Sequence, residues 1–278
     1  MERQKRRLVV PFLLPAFAAY AFFMLYPAFS TFYVALTDWN GVSAPDFVGL
    51  GNLTELAADE TFRSTIGNTV TFVVIGAMIL FPGALFFAYV TQKLRFGKVY
   101  RFFILAPVVL SVTTAALLWK FLLNPNFGVV GVELLGQPST AMLMVVLATV
   151  WHGIGIWMLL FAAAFERVPV ELREAATLDG ASAFQVFRHV VWPLIWDVTR
   201  TLLILWMIQG LQTFAFIIAM TGGGPLRSTE VIGTYLYGVA FTEGRFGYAA
   251  TIAVVLFAAI LTLTLSVNRL TKRESEQY

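Results

Sequence analysis

The sequence predicts an all-α, polytopic membrane protein with six transmembrane helices, and two observations support this prediction. First, 59% of the 278 residues are hydrophobic, only 13% are charged, and the mean hydropathy is +0.78. A typical soluble domain is about half apolar and about one quarter charged. Second, the apolar residues are gathered into long runs. The length suits one compact helical domain over residues 1–278.

Six apolar runs are long enough to cross the bilayer core, which takes about 20 helical residues. They are Leu8–Leu36, Thr69–Thr91, Phe102–Leu123, Ala141–Phe165, Val198–Met220 and Tyr248–Val267. The first follows the basic run RQKRR and could be read as a signal peptide, but it is too long and no small-residue cleavage site ends it. We expect a span that begins as a surface or kinked segment, because it contains three prolines. The other five spans form a core over about residues 66–270.

The basic residues predict the orientation of these spans. Four segments on one side of the six-span topology hold fourteen of the 19 Lys and Arg residues. These segments are the N-terminus, the loop around residues 93–101, the loop 167–195 and the C-terminus. Because cytoplasmic loops are enriched in Lys and Arg, both termini and the loop 167–195 are expected in the cytoplasm.

The sequence also excludes several functions. No Asp or Glu lies inside a predicted span, which disfavours a proton-coupled transporter, although ion sites lined by carbonyl groups remain possible. No GxxxxGK[ST] sequence is present, so the chain has no P-loop for ATP. With two histidines, no cysteine and no His–carboxylate cluster, we predict no metal site. The net charge of +3 gives no argument for nucleic acid. Uphill transport would therefore need energy from a partner.

The loop 167–195, RVPVELREAATLDGASAFQVFRHVVWPLI, predicts two short helices. Pro169 suits a first helical turn, and Glu171 and Glu174 are expected in the same turn, where they complement the helix dipole. Gly180 fits a left-handed C-terminal cap. A second helical stretch, Ala181 to Val191, then runs to Pro193 at the entry to the next span. The loop is either a solvated connector or, since it is rich in apolar residues, a helix that docks into a groove of another protein.

The stretch EAATLDGASAFQVFRHVVWP resembles the EAA motif of binding-protein-dependent ABC importer permeases. That motif reads EAA, three residues, Gly, nine residues, then Ile-x-Leu-Pro; here Val190 and Trp192 replace Ile and Leu. PAFSTFYVALTDWNG, FVGLGNLTEL, IGNTVTF, FLLNPNFGVV and MTGGGP followed by STEVIGTYLYGVAF resemble the sugar-uptake branch, which includes the maltose and glycerol-phosphate permeases. The chain is similar to the first of the two permeases in such systems.

The resemblance implies a type I ABC importer permease fold and a role for the loop 167–195 as the coupling loop, whose helix fits a cleft of a separate ATPase subunit. Glu174 would be the polar contact, Ala175 and Ala176 the close-packing surface, and Gly180 the turn. The implied ATPase-coupling set is Glu171, Glu174, Ala175, Ala176, Asp179, Gly180 and Pro193.

The same resemblance implies the partners. They are a second homologous permease, two ATPase subunits and an extracellular or periplasmic sugar-binding protein. ATP and Mg would be bound by the ATPase, so this chain would hold no cofactor and would not itself be an enzyme. Its place would be the lipid of a bacterial or archaeal cytoplasmic membrane.

Candidate residues for the substrate pathway lie in three spans. In span five, Trp206, Gln209, Gly210 and Thr213 share one helical face, with Gln212 at its border. An aromatic ring beside amides and a hydroxyl suits a sugar. The alternative is that Gln209, Gln212 and Thr213 hydrogen-bond neighbouring helices and that Gly210 permits close packing. The resemblance places this face at positions that contact substrate.

In span four, His152 is either a functional polar group or an imidazole bonded to a backbone carbonyl. The resemblance places His152, Gly153 and Ile156 on the pathway face. In span three, Ser111 is a further candidate. Val108 and Val112 fall where the maltose permease has a tyrosine and a serine that touch sugar, so the resemblance implies weaker direct sugar binding in this chain or a different ligand.

Two hypotheses from other classes remain open on the residues alone. A self-sufficient channel or facilitator would need no partner and would carry only downhill flux. A membrane enzyme would need a catalytic constellation, which the residue spacing does not indicate. Within the favoured class an exporter permease is weaker, because exporters often carry a fused ATPase and lack this loop pattern. The transported sugar is left open.

Overall fold

The structure, a computed structural model, describes residues 13–271, and nearly all of its regular structure is helical. The helices are α1 (Leu13–Val34), α2 (Gly51–Ala58), α3 (Glu60–Lys93), α4 (Gly97–Val109), α5 (Val112–Leu122), α6 (Pro138–Glu166), α7 (Val170–Leu178), α8 (Ala183–Leu194), α9 (Trp196–Leu211), α10 (Ala215–Met220), α11 (Ile232–Phe241) and α12 (Phe246–Thr271). Two short strands, β1 (Thr37–Asp38) and β2 (Asp46–Phe47), pair antiparallel, with Thr37 opposite Phe47.

The predicted all-α, polytopic fold is confirmed. In residues 13–271, four helices are long and apolar enough to cross a membrane by themselves: α1, α3, α6 and α12. Two bent helix pairs bring the number to six: α4 with α5, bent by 98°, and α8 with α9, bent by 70°. The predicted start of the first span at Leu8 lies outside the described residues.

Two of the predicted spans are not continuous helices, which corrects the sequence interpretation. Span three, predicted over Phe102–Leu123, breaks at Leu110, whose backbone is extended (φ −70°, ψ 144°), and Ser111 then caps α5 by accepting a hydrogen bond from the N–H of Thr114. Span five, predicted over Val198–Met220, ends at Leu211, and a new helix begins at Ala215. Phe214 leaves the helical region (φ −148°, ψ −57°) between the two helices.

The described chain forms two compact units, and the larger comprises residues 63–234 and 260–271. Its core is built on α6, which contacts α4, α5 and α10. Phe161, Met158 and Ile217 are fully buried there. The backbones of α6 and α4 approach closely, since a Cβ at Gly155 would lie 2.6 Å from the Ile104 carbonyl oxygen. Small residues permit such helix contacts in membrane proteins.

The smaller unit comprises residues 13–62 and 235–259. Its polar centre is Asp59, whose carboxylate accepts hydrogen bonds from the hydroxyls of Tyr235 and Tyr248. Burial raises the pKa of the Asp59 carboxyl, but these two hydroxyls and the N–H of Phe62 outweigh it and leave the pKa below its ordinary value. Close by, Arg245 forms a two-pronged ion pair with Glu55, with both oxygens 2.7 Å from Nη2.

Candidate functional sites: an exposed helix and a membrane cavity

Helix α7 carries the predicted docking residues and begins one residue later than expected. Pro169 is its N-cap, with an extended backbone (φ −53°, ψ 132°), so the first turn starts at Val170. Glu171 lies in that first turn, as predicted, and complements the helix dipole. Glu174 lies one turn further on. The dipole argument therefore does not apply to Glu174, which leaves its carboxylate available for other contacts.

The C-terminus of α7 is closed by a Schellman motif, which confirms the predicted glycine cap. Gly180 has φ +85°, its N–H donates to the carbonyl of Thr177 at 3.0 Å, and the N–H of Ala181 donates to the carbonyl of Ala176 at 3.0 Å. A Cβ at position 180 would meet no atom within 4 Å. Glycine is therefore required by the left-handed backbone and not by lack of space.

Helix α8 follows after a second cap. Ser182 and Gln185 form a capping box: the Ser182 N–H donates to Gln185 Oε1 at 2.7 Å, and the Gln185 N–H donates to Ser182 Oγ at 3.4 Å. The helix thus begins two residues after the predicted Ala181 and continues past Val191 to Leu194. Pro193 lies in its last turn, directly after a π-helical turn, and the 70° bend into α9 follows, so Pro193 marks the entry to the next span.

The surface of α7 is largely exposed within the described part of the chain. None of its residues is buried, and Leu178, the most exposed of its large apolar side chains, keeps 87% of its surface accessible. Glu174 and Ala175 are exposed and Ala176 is half-buried. A nine-residue helix is shorter than the length that persists alone in water, about 12–15 residues. An exposed helix with apolar side chains and a capped C-terminus is a surface suited to docking.

A cavity of about 370 Å³ lies among α3, α5, α6, α9 and α10. Eight of the predicted pathway residues line it: Val112, His152, Gly153, Trp206, Gln209, Gly210, Gln212 and Thr213. Val108, Ser111 and Ile156 do not line it. The breaks at Leu110 and at Gln212–Phe214 belong to the helices that form its wall. Interrupted helices in membranes occur where the irregular backbone is buried in protein or lines a cavity.

Six lining residues were not predicted: Phe72, Thr149, Trp157, Phe214, Ala215 and Phe216. Thr149 and Trp157 lie three residues before His152 and four after Gly153, so helical spacing could have found both. Phe214, Ala215 and Phe216 reach the cavity because α9 ends before them. Phe72 had no signal in the sequence.

His152 makes the backbone hydrogen bond that one of its two sequence interpretations predicts, and it also lines the cavity. Its Nε2 lies 3.0 Å from the carbonyl oxygen of Leu110, and its ring packs edge-on against Phe216 with centroids 5.6 Å apart. A carbonyl can only accept, so Nε2 carries the proton and donates it. The imidazole therefore lines the cavity and also ties α6 to the residue at which span three bends.

Trp206 is more buried than an aromatic side chain that stacks on a sugar ring would be. It is 4% exposed, its Nε1–H donates to the carbonyl of Val73 at 2.9 Å, and its ring stacks 6.1 Å from that of Phe72. A Cβ at Gly76 would lie 2.3 Å from this ring, so Gly76 makes room for it. Trp206 therefore borders the cavity with little accessible surface.

The side-chain amides of Gln209 and Gln212 are more accessible than the indole of Trp206. Both side chains are exposed and neither makes a hydrogen bond within residues 13–271, so they are free to meet a solute. Gly210 serves close packing, because a Cβ there would lie 2.7 Å from Val73 Cγ2. Among the described residues, no Lys, Arg, Asp or Glu lines this cavity.

Residues 81–275 match the sequence model of a family described as binding-protein-dependent transport system inner membrane component. The chain belongs to this family. The permease is 32% identical to the probable ABC transporter permease protein YurN of Bacillus subtilis over the whole of both chains. It is 34% identical to the sn-glycerol-3-phosphate transport system permease protein UgpA of Yersinia enterocolitica over 95% of each chain, and 29% identical to the multiple sugar-binding transport system permease protein MsmF of Streptococcus mutans over 96% of this chain and 94% of that one.

The fold of the permease matches that of a solved transporter. A chain of a bacterial ABC transporter involved in the import of the acidic polysaccharide alginate superposes with a TM-score of 0.87, over 99% of the permease and 98% of that chain, at 22% identity. The importer permease fold expected from the EAA resemblance is therefore confirmed. Family and fold together make this a multi-pass membrane subunit.

Proposed function

We propose that this permease is the membrane subunit of an ATP-driven sugar importer, that it forms half of the pore and that it couples to a separate ATPase through α7. The observation that carries the proposal is α7 itself, an exposed helix with no buried residue that presents Glu174 and Ala175 and is capped at its C-terminus by Gly180. Relatives support the sugar: besides MsmF, the permease is 32% identical to the diacetylchitobiose uptake system permease protein NgcF of Streptomyces coelicolor over 91% of its length.

The proposed assembly has three further subunits in or at the membrane and one solute-binding protein. A second, similar permease completes the pore, and two ATPase subunits bind ATP and Mg. An extracellular or periplasmic protein delivers the sugar and largely selects it. The alginate transporter, whose fold this chain shares, has been solved in complex with a periplasmic protein bound to an alginate pentasaccharide. Both termini of the permease and α7 face the cytoplasm, as the basic loops favour.

The transmission path is a single stretch of chain. ATP binding closes the ATPase pair and moves α7. The motion reaches α8 directly, because the Schellman motif and the capping box make the connection between the two helices short and hydrogen-bonded. Helix α8 meets α9 at Ile195, which is 1% exposed and hence held in the core. Helix α9 then presents Gln209 and Gly210 to the cavity. A displacement of α7 therefore reaches the cavity wall through α8, the bend and α9.

The cavity favours an uncharged saccharide over a phosphate or uronate ligand. Its described lining carries aromatic rings and the unbonded amides of Gln209 and Gln212 but no side chain with a formal charge. A buried anion without a counter-charge is strongly disfavoured, whereas hydroxyl groups pair readily with amides. Phe214, which is half-buried, offers apolar surface to the face of a sugar ring.

The experiment that tests the function is purification of the tagged permease from its native membrane in mild detergent, followed by mass spectrometry of the co-purified proteins. We expect a P-loop ATPase and a second permease with an EAA motif. Recovery of the folded chain alone would refute the importer and favour a self-sufficient facilitator. In that case proteoliposomes with the permease alone would carry downhill sugar flux without ATP.

A further inference from the structure

A second concave surface lies in the larger unit, away from both sites above. A pocket of about 640 Å³ is formed by the end of α3, the residues that connect it to α4, the start of α4 and the end of α6. Three cationic side chains line it, Arg95, Lys98 and Arg101, against one carboxylate, Glu166. No residue of α7 or α8 lines this pocket, so it is separate from the surface assigned to the ATPase.

The cations of this pocket have no acidic partner among the described residues. In residues 13–271, neither Arg95, Lys98 nor Arg101 forms an ion pair, although three other Arg residues do. Arg101 is oriented by its Nε, which donates to Thr91 Oγ1 at 3.1 Å. Thr91 is itself buried and bonded to the carbonyl of Phe87 at 2.7 Å. The pocket therefore carries a fixed guanidinium and an excess of positive charge that a ligand from outside can neutralise.

The rim of the pocket is apolar and exposed. Leu94, Phe96 and Val99 line it and each keeps more than two fifths of its surface accessible. The guanidinium of Arg95 lies 5.7 Å from the centre of the Phe96 ring. Helix α3, at whose end this rim lies, is one of the helices able to span a membrane. Cations next to exposed aromatic and aliphatic groups at the end of a span are typical of contact with an anionic membrane surface.

We propose that this pocket binds the phosphate headgroup of an anionic phospholipid of the phosphatidylglycerol class. Arg95, Lys98 and Arg101 hold the phosphate, and Phe96 and Val99 contact the glycerol and the upper part of the acyl chains. A free phosphate ion would use the cations and leave the apolar rim exposed, so the lipid is the occupant that matches both halves of the surface. The site acts on the permease itself and does not depend on which solute is transported.

The test is native mass spectrometry of the assembled transporter in detergent, titrated with phosphatidylglycerol or phosphatidylcholine of the same acyl chains. We expect selective retention of phosphatidylglycerol. Each of Arg95→Gln, Lys98→Gln and Arg101→Gln should weaken it about fivefold, and the triple variant should abolish it. Arg101→Lys keeps the charge and should retain the lipid. Arg269→Gln, which removes an exposed cation near the end of α12, is the matched control and should also retain it.

Three results would overturn the proposal. Equal retention of both lipids, or retention of phosphatidylglycerol by the triple variant, would show that the three cations do not recognise the headgroup charge. Displacement of the bound lipid by excess inorganic phosphate, with no dependence on acyl chains, would make this a site for the free ion. Loss of a co-purified subunit from the triple variant, with the lipid still bound, would make the pocket a protein interface. Co-purification of the partners and an unchanged unfolding temperature show that each variant is folded.

Discussion

Gly180 offers the sharpest test of the coupling role, because glycine is required there by the left-handed backbone conformation and not by the packing around it. It holds φ +85°, and a Cβ there would meet no atom within 4 Å. Gly180→Ala therefore adds no clash and costs only the left-handed conformation, about 1–2 kcal/mol. That energy shifts the population of the closed cap about 5- to 30-fold towards open forms. Gly180→Asn should cost less, because Asn adopts this conformation more readily.

Gly180→Pro removes the cap altogether. Proline fixes φ near −65° and has no N–H to donate to the carbonyl of Thr177. It also disfavours the near-helical backbone of the preceding Asp179 (φ −73°, ψ 3°). We expect uptake to be abolished while the chain still inserts, with Gly180→Ala between wild type and Gly180→Pro, and Gly180→Asn nearer wild type.

The assay is sugar uptake and ATP hydrolysis by the assembled transporter in proteoliposomes, with the amount of inserted permease measured on the same samples. The order Gly, Asn, Ala, Pro in uptake per inserted permease is the expected result. Wild-type uptake by Gly180→Pro would show that the turn after α7 is not needed for coupling, and it would refute the proposed coupling role. Failure of Gly180→Ala to insert would show that the turn is needed for folding.

Four further predictions concern separate parts of the permease. Glu174→Lys should abolish uptake without loss of insertion, whereas Glu133→Lys, which changes an exposed carboxylate after α5, should leave uptake unchanged in the same assay. Gln209→Ala should raise the KM for uptake up to about tenfold, the value of one lost hydrogen bond; an unchanged KM would place the sugar elsewhere. Trp206→Phe, which removes the indole hydrogen bond, should lower the free energy of unfolding in denaturant by about 0.5–1.5 kcal/mol. Trp206→Ala, which also removes the packed ring, should lower it by about 3–5 kcal/mol. Equal losses would contradict separate contributions from the hydrogen bond and the packing. The pKa of the Asp59 carboxyl lies below its ordinary value of 3.8. Its ionised form therefore stabilises the fold fully above about pH 4, and this stabilisation is lost as the pH falls through the folded-state pKa. Asp59→Asn should remove this acid dependence of the unfolding temperature.

The sequence predicted those features whose signals are local. Gly180 and Pro193 mark a cap and a bend because their backbone limits are intrinsic to the residue. The six runs were found because the bilayer demands length and apolarity of each. Glu174 was assigned to the wrong turn, because it is the fifth residue of a helix that starts at Val170 and one turn takes only 3.6 residues.

The missed features depend on contacts between distant segments. Residues 212–214 contain neither proline nor glycine, and their apolar surroundings continue to Met220, so hydropathy could not reveal the end of α9. The break is held by tertiary packing, since α10 lies against α5 and α6. Trp206 was predicted to meet sugar, yet its hydrogen bond to Val73 crosses 133 positions of the chain and has no local signature.

The shortness of α7 has a consequence for how the complex is put together. A nine-residue helix with no buried side chain is only weakly stable by itself, so a partner that covers it would stabilise it. Under the proposed orientation, a permease made ahead of its ATPase displays this weakly ordered segment to cytosolic proteases, which cut such exposed stretches. Docking hides it. Under the proposed function, copies of the permease without an ATPase are therefore expected to be cleaved faster than copies in the complex.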